Sequence, residues 1–181
     1  MAAILTACVA GPVLQPKSAA TPEGVDLTGT WQLRDDSKDI TGRIAAAGRE
    51  AAGAGEDIVM IARKGESERS KNASLLHVFL ESGSRLKITQ TPYGLFVSFD
   101  RAVVEEYTFG EHRPVNVGPV VAERVSGWEN RRFVVETADD KGNKLIERYW
   151  LDDAGETLRR HVTLLKKDVR ELDVVQVFTR I

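Results

Sequence analysis

The sequence predicts a mainly β protein, an antiparallel up-and-down small barrel or a strongly curved sheet of about eight or nine strands with a short helical insertion. Residues of high β propensity recur in runs of roughly six to nine residues, and turn-forming Asp, Asn, Gly and Pro separate the runs. One Ala- and Gly-rich segment interrupts them. With 181 residues, of which 42% are hydrophobic, the chain is long enough for one domain with a sizeable core.

The first strand is predicted at residues 27–33, where Leu-Thr-Gly-Thr-Trp-Gln-Leu follows an aspartate. Short links such as Thr91–Gly94 and Asp139–Asn143 connect later runs as hairpins, which makes the sheet antiparallel. Closure into a barrel would remove the exposed edges of such a sheet. The other predicted strands are Leu86–Gln90, Leu95–Phe99, Val103–Phe109, Pro119–Ser126, Arg132–Thr137, Lys144–Leu151, Thr157–Leu165 and Asp173–Ile181.

The helical part is predicted to be small. Residues 40–55 contain a run of three alanines that favours a helix and four glycines that oppose it, so we expect a short helix or a mobile insertion. Residues 58–61 are a further candidate strand. Residues 74–83 are predicted as a second short helix, with Ser74 as N-cap and Gly83 as the C′ stop.

Charge and motifs exclude several classes of function. A formal net charge of -2 gives no field that would attract nucleic acid, and no apolar run approaches the roughly 18 residues of a membrane-spanning helix. The three histidines, His77, His112 and His161, show no metal-ligand spacing, and the chain carries no nucleophile, phosphate-loop or dinucleotide motif. We therefore expect no metal, no cofactor and no catalytic residues, and predict that the protein is not an enzyme.

The Leu-Thr-Gly-Thr-Trp opening at residues 27–31 resembles the first strand of lipocalins, whose Gly-x-Trp is matched by Gly29 and Trp31. In lipocalins this tryptophan closes one barrel end beneath an arginine from a late segment, and Arg180 stands in a suitable place. The region from residue 27 to 165 is also similar to bacterial envelope lipoproteins, through the same start, a Gly127–Glu129 turn and Glu-Arg-Tyr at residues 147–149 before an Asp-x-Gly hairpin. These resemblances imply a lipocalin-like small β-barrel located in the envelope.

The N-terminus predicts a lipid anchor. Leu-Thr-Ala-Cys at residues 5–8 resembles the bacterial lipobox, and the Pro- and Ser-containing stretch that follows is typical of a flexible linker. We predict lipid attachment at Cys8, a lipoprotein signal remnant and flexible tether over residues 1–26, and a single lipocalin-like β domain over residues 27–181. Val9 after the cysteine implies an outer-membrane lipoprotein facing the periplasm. The alternative is a disordered tail with an incidental cysteine.

Strand parity places polar side chains on the apolar face of several strands, because alternate residues face opposite sides of a sheet. Phe133 and Val135 mark the core face of their strand, and Leu95 and Val97 mark that of theirs. By the same alternation, seven polar residues point inward and are the predicted ligand-binding residues: Glu105, Tyr107, Glu123, Glu147, Tyr149, Arg160 and Gln176. The alternatives are a register error or bulge that turns some of them outward, or a satisfied structural network.

Buried charge has to be paired, hydrated or neutralised. One arginine among three interior carboxylates cannot neutralise them all, so we expect one carboxylate to be protonated, hydrated or held by a cationic or hydroxyl-bearing ligand group. The predicted function is non-catalytic binding of a small apolar or amphiphilic ligand in the envelope, with the membrane contacted only through the lipid anchor. A structural or interaction protein with a filled interior is the alternative, and a hydrolase is a third class.

Overall fold

The computed structural model describes residues 13–40, 42–44, 46, 76, 79–100, 103–117, 120–152 and 154–181. These residues form ten strands and one 3₁₀ helix, Asp35–Ser37, which residues 38–40 and 42–44 follow in helical conformation. The strands are β1 (Gly29–Leu33), β2 (Arg85–Gln90), β3 (Gly94–Phe99), β4 (Val103–Thr108), β5 (Glu111–Val117), β6 (Val120–Glu129), β7 (Arg132–Ala138), β8 (Asn143–Leu151), β9 (Thr157–Lys166) and β10 (Val169–Arg180).

The strands form one antiparallel, nearly closed barrel. Neighbours in the sheet are neighbours in the chain, and β1 pairs with β10 to bring the two ends of the strand series together. The barrel stays open only at what we call the seam, where β4 and β5 do not pair with each other. Side chains bridge the seam: Arg113 Nη2 donates to the carbonyl oxygen of Glu106 at 3.1 Å, and Ser126 Oγ donates to that of Thr108 at 2.7 Å. Because strands that follow each other in the chain lie side by side in the sheet, the strand order is the predicted up-and-down order.

The prediction of eight or nine strands was too low, because the described residues contain ten. The missed strand is β5, whose sequence is Glu-His-Arg-Pro-Val-Asn-Val and none of whose residues is buried. It pairs only with β6 and forms one edge of the seam. An edge strand exposed in this way needs no apolar alternation, and it tolerates Pro114, which lacks a backbone N–H. The sequence signal for a strand was therefore absent.

The insertion between β1 and β2 carries the helical part. The helical residues 38–40 and 42–44 lie around the start of the predicted Ala- and Gly-rich helix. The candidate strand at 58–61 lies outside the described residues, as do four of the ten residues of the predicted helix at 74–83. Of that second helix, Leu76 and Phe79 have 3₁₀ conformation, and residues 80–83 are not helical. The predicted C′ stop at Gly83 therefore follows non-helical chain, which makes that part of the prediction wrong.

Residues 79–84, which we call the return segment, lead the chain back into the barrel. Ser84 fixes its end, since the Ser84 carbonyl accepts from the backbone N–H of Leu33 at 2.8 Å. The Asp100 carboxylate, in the turn after β3, accepts from the N–H groups of Ser84 at 3.1 Å and Arg85 at 2.7 Å. Between residues 79 and 83, no backbone hydrogen bond to a described barrel residue is found. Side-chain packing alone holds this part of the return segment against the described barrel.

The core consists of two hydrophobic clusters. The first, which we call the Trp31 core, fills one end of the barrel with residues of the strands and of the chain before β1, among them Leu27, Trp31, Phe133 and Phe178, all at 0% exposure. The second, the cover core, packs insertion residues on the barrel wall. It comprises Ile44, Leu76, Phe79 and Leu80 from the insertion and Val120, Ala122, Leu145, Val162, Leu164, Leu172 and Val174 from the strands.

Trp31 is fully buried in the Trp31 core beneath the Arg180 side chain. The Arg180 guanidinium carbon lies 4.1 Å from the centroid of the Trp31 ring, a cation–π distance. Arg180 Nη1 donates to the carbonyl oxygen of Thr28 at 2.8 Å, and Trp31 Nε1 donates to that of Leu27 at 3.2 Å. A Cβ at Gly29 would lie 2.5 Å from Arg180 Nη1, so only glycine lets the guanidinium approach this closely.

The chain around residues 17 and 18 is held on the outside of the barrel. Ser18 forms an antiparallel bridge with Trp128 beyond the end of β5. Lys17, whose side chain is 1% exposed, donates from Nζ to Glu129 at 2.5 Å and to Glu136 at 2.9 Å. Both residues fall within the range 1–26 predicted as a tether, so the described part of that range contacts the domain from residue 17 onward.

The carboxylates of Glu129 and Glu136 form ion pairs with lysines on the outside of the barrel. Burial raises the pKa of Glu136, but its hydrogen bonds and charge interactions with Lys144 and Lys17 outweigh burial and hold that pKa below its usual range. Burial also opposes the charge of Lys17, yet the hydrogen bonds that Lys17 donates to Glu129 and Glu136 leave the pKa of Lys17 raised. The Lys17–Glu136 ion pair is thus charged at neutral pH and stabilises the docked chain segment.

Candidate functional site

A polar cluster lies inside the barrel between the two hydrophobic clusters. Its centre is Arg160 on β9, which is 0% exposed. Arg160 donates from Nε at 2.8 Å and from Nη2 at 2.5 Å to the same Glu147 oxygen, Oε2, and from Nη1 to Gln176 Oε1 at 2.9 Å. Tyr149 Oη donates to Glu147 Oε2 at 2.8 Å. Parity on β8, β9 and β10 therefore placed these four side chains correctly.

Aromatic rings enclose the Arg160 guanidinium. Its carbon lies 4.6 Å from the centroid of the Phe99 ring and 5.8 Å from that of Tyr149. Burial by itself opposes the charge of Arg160, but the charge of Glu147 and the hydrogen bond to it raise the pKa of Arg160 overall. Arg160 is therefore permanently charged and permanently paired.

A second ion pair spans the inside of the seam. Arg124 on β6 donates from Nη1 to Glu105 on β4 at 3.0 Å and from Nε to Thr137 Oγ1 at 3.0 Å. Its guanidinium carbon lies 5.6 Å from the centroid of the Tyr107 ring and 5.4 Å from that of Phe79 in the return segment. The side chain of Arg124 is 5% exposed and that of Glu105 is 25% exposed, so solvent reaches this pair from the Glu105 side.

Glu81 in the return segment adds a third interior carboxylate. It is half-buried, and no hydrogen bond or ion pair joins it to another described residue. Burial raises the pKa of Glu81 above its usual range, the negative charges of Glu105 and Glu147 raise it further, and Arg160 opposes the rise. Glu81 therefore interacts electrostatically with the charged residues of the polar cluster.

Six of the seven predicted binding residues meet in this cluster, but the prediction for Glu123 was wrong. Glu123 lies on the outside of β6, where its carboxylate is 3.2 Å from His112 Nε2 and 54% exposed. The inward residues of β6 are instead Ala122, Arg124, Ser126 and Trp128, since Trp128 pairs with the inward-facing Phe133. Parity counted from Trp128 would have identified Arg124 as an interior residue.

The error on β6 has a physical cause. The predicted inward position of Glu123 depends on Val121 and Val125, which have the same parity on β6, yet Val121 is 64% exposed and Val125 is buried on the outer face of the strand. The predicted turn at Gly127–Glu129 is also wrong, since these residues belong to β6. A Cβ at Gly127 would lie 2.6 Å from the Ser18 carbonyl oxygen, because the docked N-terminal segment passes there. The docked segment thus buries part of the outer face of β6, and apolar residues on that face resemble core residues in the sequence.

The polar cluster is organised for pairing charges and is poorly suited to transferring protons. The interior was expected to hold one arginine among three carboxylates, but it holds two arginines. Burial raises the pKa of Tyr107 and of Tyr149 well above the usual range, so neither phenol is a base near neutral pH. Among the described residues, no group of three or more His, Cys, Asp or Glu side chains could hold a metal ion.

An outer cluster on β9 and β10 resembles a nucleophile–base pair only superficially. His161 Nε2 lies 2.6 Å from Asp173 and 3.3 Å from Thr163 Oγ1, so one nitrogen faces both the acid and the hydroxyl. A catalytic relay needs the two ring nitrogens for these two partners. Arg170 also binds Asp173 at 2.7 Å, and with His161 it keeps the pKa of Asp173 below its usual range. We interpret this cluster as surface charge pairing.

Grooves lined by described residues lie on the outer surface of the barrel. One of about 420 Å³ crosses β1 to β4 between Lys87 and Phe96, and one of about 360 Å³ lies between Arg132 and the turn after β8. Neither is lined by a predicted binding residue. No helix in the described part of the chain has the length and apolar character required to cross a bilayer.

Comparison with known proteins extends these observations at the level of fold. No protein-family model and no curated protein sequence matches the chain. Among solved structures, a luciferase domain of the dinoflagellate Lingulodinium polyedrum is 12% identical with a TM-score of 0.51, over 94% of this chain and 46% of that one. Lipid binding protein 8 of Caenorhabditis elegans is 10% identical with a TM-score of 0.49, over 87% of this chain and 99% of that one.

A zebrafish ileal bile acid-binding protein in complex with cholic acid is 10% identical with a TM-score of 0.44, over 85% of this chain and 98% of that one. At such identities a structural match shows a fold. The fold and the interior together define an antiparallel β-barrel whose interior carries self-paired charges. Fold alone does not decide between binding and catalysis, because one barrel hosts many functions.

Proposed function

We propose that this protein binds a small amphiphilic molecule without catalysis, in the part of the barrel between the polar cluster and the return segment. The observation that carries the proposal is the meeting of polar and apolar groups there. Phe79 packs on Arg124, and Glu81 and Glu105 are both partly exposed to solvent. A few convergent polar groups on an apolar wall are what an amphiphile requires.

The two ends of the barrel differ in how easily a ligand could occupy them. The Trp31 core is fixed by strand pairing and by the Arg180 contacts described above. In the cover core, by contrast, Phe79 and Leu80 reach the wall residues Val162 and Val174 through side-chain packing alone. An alkyl group that took the place of these side chains would break no described backbone hydrogen bond. The ligand site is therefore proposed at the cover core.

A structural barrel with a filled interior is the second candidate. The Arg160 network favours it, because Arg160 has partners for Nε, Nη1 and Nη2 without any ligand. Such a network can stabilise one specific fold without a bound ligand. The two candidates differ in the expected response to an apolar probe.

Purified protein, prepared without detergent, is expected to bind the neutral dye Nile red with a dissociation constant in the micromolar range, about 1–100 μM. Native mass spectrometry of the same preparation is expected to show a species heavier than the chain by the mass of a small molecule, which organic extraction removes. A chain mass without addition, together with no dye binding at about 100 μM protein, would favour the filled structural barrel.

We further propose that the barrel is an outer-membrane lipoprotein facing the periplasm and anchored through Cys8, a residue outside the described part of the chain. The lipobox-like residues before Cys8 support this proposal. In the source cells, protein made from its own gene is expected to partition into the detergent phase, and Cys8→Ser is expected to move it to the aqueous phase. Equal partitioning of the parent and Cys8→Ser would contradict the anchor.

A further inference from the structure

The charge balance of the polar cluster bears on which amphiphile would fit. The described interior contains three carboxylates, those of Glu81, Glu105 and Glu147, and two guanidiniums, those of Arg124 and Arg160. Three carboxylates against two guanidiniums leave one acidic group without a basic partner in the described interior. In surroundings of low polarity, such an imbalance strongly selects the charge of anything that enters.

Both guanidiniums already have a carboxylate of the chain as partner. Glu147 binds Arg160 at 2.5 Å, and Glu105 binds Arg124 at 3.0 Å. A ligand carboxylate would have to displace one of these partners and leave it without a counter-charge, which is unfavourable in the barrel interior. An incoming carboxylate would also approach Glu81, which carries the same charge. The interior is therefore unsuited to fatty acids and other carboxylates.

From this arrangement we infer that the ligand carries an amine or hydroxyl head group, which Glu81 and Glu105 accept at the solvent side of the polar cluster while the alkyl part occupies the cover core. An ammonium group would supply the missing positive charge, and a hydroxyl would donate to a carboxylate oxygen. The inference rests on the proposed function and adds the class of ligand to it.

Three amphiphiles of equal chain length test the inference: decylamine, decanol and decanoate, each titrated below its micelle concentration to displace Nile red at pH 7. Decylamine is expected to displace the dye at a concentration at least about tenfold lower than decanoate, with decanol in between. Calorimetric titration with decylamine gives a direct measurement if the dye does not bind. Equal or better displacement by decanoate would overturn the inference while leaving the proposed function intact.

Two variants locate the effect. Glu81→Gln keeps the shape of the side chain and removes its charge, so it is expected to weaken decylamine binding about tenfold and to change decanol binding less than about twofold. Glu106→Gln is the matched control, because Glu106 is exposed and lies next to Glu105 on the outer face of β4. It is expected to bind all three compounds as the parent does.

An unchanged preference for decylamine in Glu81→Gln would overturn the role of Glu81 and the inference with it. If the parent binds neither Nile red nor any of the three compounds by calorimetry, the proposed function fails as well. The two failures are therefore distinguishable, since one is a wrong order of affinities and the other is a lack of binding.

Discussion

Replacing Arg160 with leucine is expected to lower the free energy of unfolding by about 3–5 kcal/mol near pH 7. The change leaves Glu147 buried at 4% exposure without its counter-charge, and Gln176 loses the donor to its Oε1. The loss should be smaller at pH 5, because an unpaired buried carboxylate takes up a proton more readily than an exposed one and the proton removes the buried charge. Denaturant unfolding at both pH values measures the difference.

The neighbouring Arg159 supplies the control. It lies on the same strand, faces outward and is half-buried, so Arg159→Leu is expected to change the free energy of unfolding by no more than about 0.5 kcal/mol at either pH. In the double variant Arg160→Leu, Glu147→Leu, most of the stability should return, since replacing both partners of a buried pair is often neutral. A small and pH-independent loss in Arg160→Leu would contradict the buried ion pair.

Trp31→Ala is expected to cost about 3–5 kcal/mol, because it removes the largest fully buried side chain of the Trp31 core and leaves a cavity. Arg180 would also lose the ring beneath its guanidinium. Trp150→Ala is the matched control. Trp150 faces outward on β8, only half-buried, with the Arg132 guanidinium carbon 4.8 Å from its ring centroid, so a loss of about 1 kcal/mol or less is expected. Equal losses of stability in Trp31→Ala and Trp150→Ala, measured by thermal unfolding, would contradict this difference between the buried and the outward-facing tryptophan.

The sequence predicted those strands well in which the pattern of apolar residues matches the face of the sheet that points into the barrel. On β8, β9 and β10, apolar residues predominate on the inward face, so parity was enough to place Glu147, Arg160 and Gln176 inside. The link before β8 was also predictable. Asp139, for example, accepts hydrogen bonds from the backbone N–H groups of Lys141 and Asn143, which is ordinary turn chemistry.

The wrong or missing predictions concern positions whose environment is set by parts of the chain that are distant in sequence. On β6, the docked Ser18 region shields the outer face, and a buried Val125 then misleads any count of apolar residues. The role of Glu81 depends on how the return segment packs across the barrel, which no local pattern encodes. β5 lacks a pattern altogether because its neighbours impose none on an edge.

The seam has a consequence for behaviour at high protein concentration. Unpaired strand edges are templates on which a second chain can add, and two such edges face each other here. Pro114 offers no N–H to an incoming strand, and Arg113 occupies the carbonyl oxygen of Glu106 on the opposite edge. Charged neighbours such as Glu111 further disfavour stacking of edges between molecules. These features of the seam thus disfavour aggregation through pairing of the β4 and β5 edges with strands of other molecules.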